Sequence, residues 1–258
     1  MHRQGTTVEP EHAVPQSLMS HLLELRTRLL RSVAAVVALM LVLIPFANPL
    51  YTALAQPLMQ QLPHGASMIA TGVAAPFLAP FKFAMMLAVY LAMPLVLHQA
   101  WAFVAPGLYR RERVLAVPML VSSVVLFYLG MAFAYFVVFP IVFGFFAAAA
   151  PAGVLVMTDV TSYLDFVLTL FLAFGIAFEV PVIVVLLVST GFVETATLRK
   201  ARPYVIVGAF FVGMLLTPPD VFSQTMLAVP VWLLYEIGIL VSNLLSKRPL
   251  DGRAPEAD

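Results

Sequence analysis

From Val33 the chain runs VAAVVALMLVLIPF without one charged side chain, and long, almost uncharged runs of this kind return five more times. They lie near 29–47, 77–98, 115–148, 163–190, 203–217 and 221–244. A helix needs ~20 apolar residues to cross a hydrocarbon core. The pattern therefore predicts an all-α, polytopic membrane protein with six transmembrane helices in one domain over 1–245. A polar N-terminal segment, 1–28, precedes the first span, and a short tail, 246–258, follows the last. The runs differ in length. The third covers about 34 residues, or roughly 50 Å of helix, and the fifth about 15, or roughly 22 Å, against a core of about 30 Å. One helix must tilt or protrude, and the other falls short. Ordinary mismatch, absorbed by tilt and thinning, accounts for this. So does a bilayer kept thin beside spans five and six, whose connection TPPD allows only a tight hairpin.

Composition agrees: 62% of the residues are hydrophobic and 10% charged, far from the balance of a soluble domain. A net charge of +1 does not suggest nucleic acid as a partner, and the absence of cysteine removes disulfides and thiolate chemistry. Residues 1–19 are polar and lead to no small-residue cleavage site, so the first span is expected to be retained. The cations carry information by position. Arg3, Arg26, Arg28 and Arg31 precede span one, Arg110, Arg111 and Arg113 separate spans two and three, Arg199, Lys200 and Arg202 separate four and five, and Lys247, Arg248 and Arg253 follow six. The alternate connections have none. Basic residues collect on the cytoplasmic side, so both termini are expected there. Lys82 alone breaks the pattern, close enough to a span end to snorkel.

Polar residues within spans are functional hypotheses by default. Glu179 sits deep in span four before Pro181, which removes a backbone donor and invites a kink. A structural hydrogen-bonded role and a role facing a hydrated cavity both fit it. Thr217, Asp220, Ser223 and Gln224 form a second group around the short turn, where Asp220 is also a natural cap for helix six. Glu236, near the end of span six, is expected to snorkel or pair with a neighbouring helix. Gly130 and Gly144 suit close helix packing. Motifs for catalysis, metals or cofactors are missing. None of the five histidines has zinc-site spacing, His98 with Ser122 or Ser123 lacks an orienting acid, and there is no phosphate-binding glycine loop. A secondary transporter would explain Glu179, but the chain shows no repeated halves.

Two juxtamembrane stretches share one arrangement. In HLLELRTRLL a single acid, Glu24, stands among arginines, and in LYRRERV so does Glu112. Each can be a local ion pair, Glu24 with Arg28 at i,i+4, contributing a few tenths of a kcal/mol. Each can equally receive a cationic ligand arriving at the membrane.

The stretches HLLELRTRLL, WAFVAPGLYRRERV, FYLGMAFAYFVVFP, FEVPV and VGMLLTPPDVFSQT, in this order between Leu18 and Leu245, closely resemble the TatC family, receptor subunits of the twin-arginine protein translocase. The resemblance implies a glove-shaped, six-span protein of the bacterial cytoplasmic (inner) membrane. It implies binding of twin-arginine signal peptides of folded cargo, with the single-span partners TatB and TatA, other TatC protomers and the proton-motive force. By motif, Glu24 and Glu112 match the signal-recognition acids. Phe103 and Arg113, with His21 and Arg26, match the surrounding cytoplasmic site, Pro57 a structural position on the outer face, and Glu179 the intramembrane acid. Met214, Thr217 and Gln224 match positions where the single-span partners dock. Gly72 stands where some relatives have an acid, and Val114 where a further base can occur, so neither position receives a function. The implied recognition has two parts: guanidinium forks suit bidentate carboxylate contacts that an ammonium cannot reproduce, and burial of the signal's apolar segment supplies most of the affinity.

Overall fold

The computed structural model describes residues 18–61, 69–104, 116–149, 159–216 and 220–246, all helical apart from short turns. The helices are α1 (Leu18–Leu43), α2 (Ala47–Gln61), α3 (Ala75–Val104), α4 (Ala116–Phe133), α5 (Phe139–Ala149), α6 (Val160–Ala177), α7 (Val180–Ser189), α8 (Thr195–Leu216) and α9 (Val221–Ser246). A 3₁₀ turn at Ile44–Phe46 joins α1 to α2, and a π-helical turn at Ala134–Val138 joins α4 to α5. Among the described residues, five continuous units have the length and apolarity of membrane spans: Met19–Leu54, Ala75–Val104, Ala116–Phe146, Val160–Ser189 and Val221–Leu245. The α8 helix, in the place of the fifth predicted span, is not among them: its first two turns carry Arg199, Lys200 and Arg202, and its apolar part begins only at Pro203. This is a multi-pass membrane fold, and its short fifth span follows from where those cations sit.

Two boundaries depart from the apolar pattern. The helix of span one starts at Leu18, well inside the polar segment, because Leu22, Leu25 and Leu29 continue its apolar face among the charges. At its other end the chain stays helical to Gln61, where the sequence reads as a loop. The break expected at Pro181 is present: Phe178 and Glu179 form a turn between α6 and α7. Pro181 cannot donate to the preceding turn, and the ladder restarts with the Ile183 amide on the Glu179 carbonyl at 3.0 Å.

The core is aromatic and lies toward the end opposite the arginine-rich one. Phe127, Phe174 and Leu164 are fully buried there with Tyr90. The Tyr90 hydroxyl donates to the Leu168 carbonyl at 2.6 Å, and Tyr128 to the Tyr90 carbonyl at 3.0 Å, so both phenols satisfy their polar tip inside an apolar core. Small residues let the helices approach. A Cβ on Gly130 of α4 would collide with the Phe174 carbonyl of α6, and one on Gly238 of α9 would stand 3.0 Å from the Pro181 Cα of α7. Gly144 differs from expectation: among the described residues nothing lies within 4 Å of a Cβ placed there, so none of them approaches it closely.

Two expectations for single charges are also refined. Lys82 does not simply snorkel; its Nζ meets Asp165 Oδ1 of α6 at 2.6 Å. Glu236 pairs with a neighbouring helix through Arg202 of α8, at 2.6 Å.

Candidate recognition site and polar groups of the bundle

On α1, His21, Glu24 and Arg28 are spaced i, i+3 and i+7, and so share one stripe of the helix. The stripe is fixed against α3 by a ring stack. His21 and Phe103 lie with centroids 4.3 Å apart and planes 24° from parallel. Phe103 is the penultimate residue of α3, and the connection carrying Glu112 and Arg113 leaves from Val104. The local reading of Glu24 is realised in this geometry. Arg28 donates from Nε at 3.0 Å and from a terminal nitrogen at 2.5 Å, both to Glu24 Oε1. Arg26, two residues beyond Glu24, points some 200° around the helix and does not join this stripe. Glu112, Arg113 and Thr217 lie outside the described residues, and Pro57 is described only by its place in α2.

Glu179 occupies the break between α6 and α7. The Trp101 Nε1 donates to Ser123 Oγ at 3.1 Å, which ties α3 to α4, and the Ser123 side chain stands beside the Glu179 carboxylate at the break. The Glu179 Oε1 is buried and has no hydrogen-bond partner among the described residues. A carboxylate half-satisfied at this depth requires a proton, a water or a partner group. Ser122 donates to the Pro118 carbonyl at 2.9 Å and Ser123 accepts from Trp101, so these hydrogen bonds pair neither hydroxyl with exposed His98.

Beside Glu179 runs an apolar groove of about 520 Å³ that was not anticipated from the sequence. Its walls include Pro118 and Met119 of α4, Pro181 and Val185 of α7, and Val241 and Leu245 of α9. Contributors so far apart in the chain leave no local spacing signature. Only Pro181 and Gly238, which set how α7 meets α9, hint at it. The groove extends toward the arginine-rich end, since α4 starts there and α9 ends there.

At the opposite end, Asp220 caps α9: its Oδ1 accepts from the Ser223 amide at 2.7 Å. Asp220 Oδ2 and Ser223 Oγ are buried with no partner among the described residues. Gln224, half-buried, packs under Gly213 of α8, whose built Cβ would lie 3.5 Å from the Gln224 Cα. Met214 is 48% exposed on the outside of the same hairpin. Sequence reasoning missed another cluster on this side. Asp159, outside the spans, takes five hydrogen bonds: Thr71 N at 3.0 Å and Thr71 Oγ1 at 2.8 Å on Oδ2, and Thr161 N, Ser162 N and Ser162 Oγ at 2.9–3.1 Å on Oδ1. Bonds from the Ser162 and Thr71 amides hold its carboxyl well below the usual carboxylate range. The TDVTS stretch announces the helix cap, but nothing local announces Thr71, 88 residues away.

Residues 20–230 match the family model of the Sec-independent protein translocase protein TatC. The TatC protein of Azotobacter chroococcum is 62% identical over 242 residues, covering 94% of this chain and 95% of the relative. That of Escherichia coli K12 is 58% identical over 228 residues, covering 88% of both chains. A crystal structure of a twin-arginine translocase receptor, TatC, superposes with a TM-score of 0.80 at 35% identity, over 88% of this chain and 100% of that one. With the all-helical spans, the break at Glu179 and the short fifth helix, this similarity along nearly the whole sequence makes the chain a member of the TatC family, a membrane component of the protein-transport machinery and not an enzyme.

Proposed function

We propose that this chain is the receptor of a twin-arginine translocation system in the bacterial cytoplasmic membrane, with both termini inside. It binds twin-arginine signal peptides of folded proteins at the arginine-rich end. Acting with TatB- and TatA-like single-span subunits, and with further copies of itself, it mediates export driven by the proton-motive force. The observation that carries the reading is the His21–Phe103 stack, which ties the Glu24 stripe to the last turn of α3, next to the connection bearing Glu112. Two carboxylates on neighbouring segments suit a pair of guanidinium forks.

Charge alone is too weak for the task. Micromolar binding requires about 8 kcal/mol, and partly exposed ion pairs contribute about 0.2–1 kcal/mol each. The groove between α4, α7 and α9 supplies the missing part. Removing ~300 Å² of a signal's apolar surface from water contributes roughly 7 kcal/mol, before the cost of ordering the peptide. In this reading the acids select and the groove holds. Met214, Thr217 and Gln224, around the short hairpin, receive the single-span partners, and Pro57 shapes the outer face. Glu179 offers the half-satisfied carboxylate on which a proton or a partner group can act.

A photo-activatable residue at Phe103 in the assembled complex should cross-link to the arginine pair of a bound signal peptide, and one at Val185 to its apolar segment. Efficient capture at neither position, with the complex intact and the signal bound, would refute the assignment.

A further inference from the structure

The Glu24 carboxylate is not waiting empty. Both donors of one edge of the Arg28 guanidinium converge on a single oxygen, Oε1, at 3.0 and 2.5 Å. The pair is partly withdrawn from solvent, with the Arg28 side chain 20% and that of Glu24 35% exposed. The spacing is i,i+4 with the acid on the N-terminal side, the favoured order for such a pair in a helix. An arginine on the same helix thus makes the type of contact that an arriving guanidinium would make.

We infer that Arg28 is an internal occupant of the recognition acid, and that a twin-arginine signal binds by displacing it. This inference rests on the proposal that Glu24 reads the signal. An arriving arginine then gains only the difference between its own contact and the one it replaces, so Arg28 reduces, without abolishing, the affinity that the acid contributes. A cationic segment without an apolar partner for the groove is held weakly, because it must break the internal pair and has nothing further to bury. Displacement also sets what Arg28 cannot do. A competitor removed by every ligand lowers all their affinities by one factor. The ratio between arginine and lysine signals is therefore left to the geometry at the carboxylate, and Arg28 sets the threshold rather than the preference.

The opposing account makes Arg28 a positioning residue that holds the Glu24 rotamer ready, in which case its removal weakens binding. The two accounts differ in sign. The test titrates a labelled twin-arginine signal peptide, and the same peptide with both arginines changed to lysine, onto membranes containing the assembled receptor complex. Displacement predicts that Arg28→Gln tightens both peptides by about two- to fivefold, the factor by which an exposed to partly buried ion pair holds its carboxylate. Their ratio should stay unchanged. Arg28→Lys, which keeps the charge but loses the two-nitrogen contact, should tighten binding by a smaller factor. Arg31→Gln removes a charge one turn further along and controls for long-range repulsion, so its effect should be clearly smaller than that of Arg28→Gln. In a Glu24→Gln background, Arg28→Gln should do no more than Arg31→Gln.

Weaker binding by Arg28→Gln, or a gain no larger than that of Arg31→Gln, with Glu24→Gln still impairing the wild-type interaction, overturns the inference and leaves the role of Glu24 intact. Full-strength binding by Glu24→Gln overturns both.

Discussion

Asp159 shows how much a single side chain can join when its lone pairs are fully used. Oδ1 caps α6 and Oδ2 takes the backbone and hydroxyl of Thr71, while the Val160 amide donates to the Ile69 carbonyl at 2.9 Å. The carboxyl's pKa is depressed on folding by these donors. Its stabilising effect is therefore complete above the unfolded value, near 3.9, and is lost only as the pH falls through the lower folded value. Hydrogen exchange at the Thr71 and Ser162 amides, corrected for intrinsic rates, should show the same protection at pH 7 and pH 4.5. Asp159→Asn should reduce it at both. Protection that fades between pH 6 and pH 4.5 in the wild type would mean that the carboxylate is not held in this way. The cap itself was legible, since Asp before Thr and Ser is a helix-start signal. Its second use was not, because the partner is brought near only by the tertiary fold. The same limit explains Lys82, whose place near a span end was clear from the sequence while Asp165 opposite it depended on the registration of α3 against α6.

Among the elements, what the apolar pattern could convey was where long apolar helices lie: five described helical units have the length and apolarity to cross a membrane, and α8 carries the shorter fifth run. It could not convey where they stop. Outside the core of a bilayer, Leu22 and Leu25 among arginines sustain α1 as well as an unbroken apolar run would, and the chain past Phe46 remains helical. The long third span proved to be α4 and α5 joined through a π-helical turn, a deviation with no sequence signature in AYFVV. Contact between elements depends on specific glycines. Gly130→Ala should destabilise the protein by about 1–3 kcal/mol through overpacking against the Phe174 carbonyl, more than offsetting the ~1 kcal/mol that alanine gains in helix propensity. Gly144→Ala, with open space around it, should be neutral or mildly stabilising. Denaturation of both variants in detergent, against the wild type, checks the pair. Equal effects would show that α4 and α6 do not approach as closely as Gly130 allows.

For the whole molecule, the proposed recognition residues were legible as isolated acids in arginine-rich stretches, but composition could not decide between a local ion pair and a receptor. The fold changes that balance. Glu24 does pair with Arg28, yet the same stripe is stacked through His21 onto the end of α3, beside the connection that holds Glu112. The groove proposed to complete recognition has no local signature in the sequence because three distant segments build it. Selection and holding are thereby assigned to different parts of the molecule, and one binding assay separates them. Affinity is measured for a twin-arginine signal peptide and for its twin-lysine counterpart, on complexes of the wild type and of the Glu24→Ala, Glu112→Ala double variant. The account predicts a clear loss on changing arginine to lysine in the wild type and little or none in the double variant, while shortening the apolar segment weakens binding to both alike. An arginine-to-lysine loss of equal size in the two proteins would contradict it, because the carboxylates would then not be the groups that read the signal.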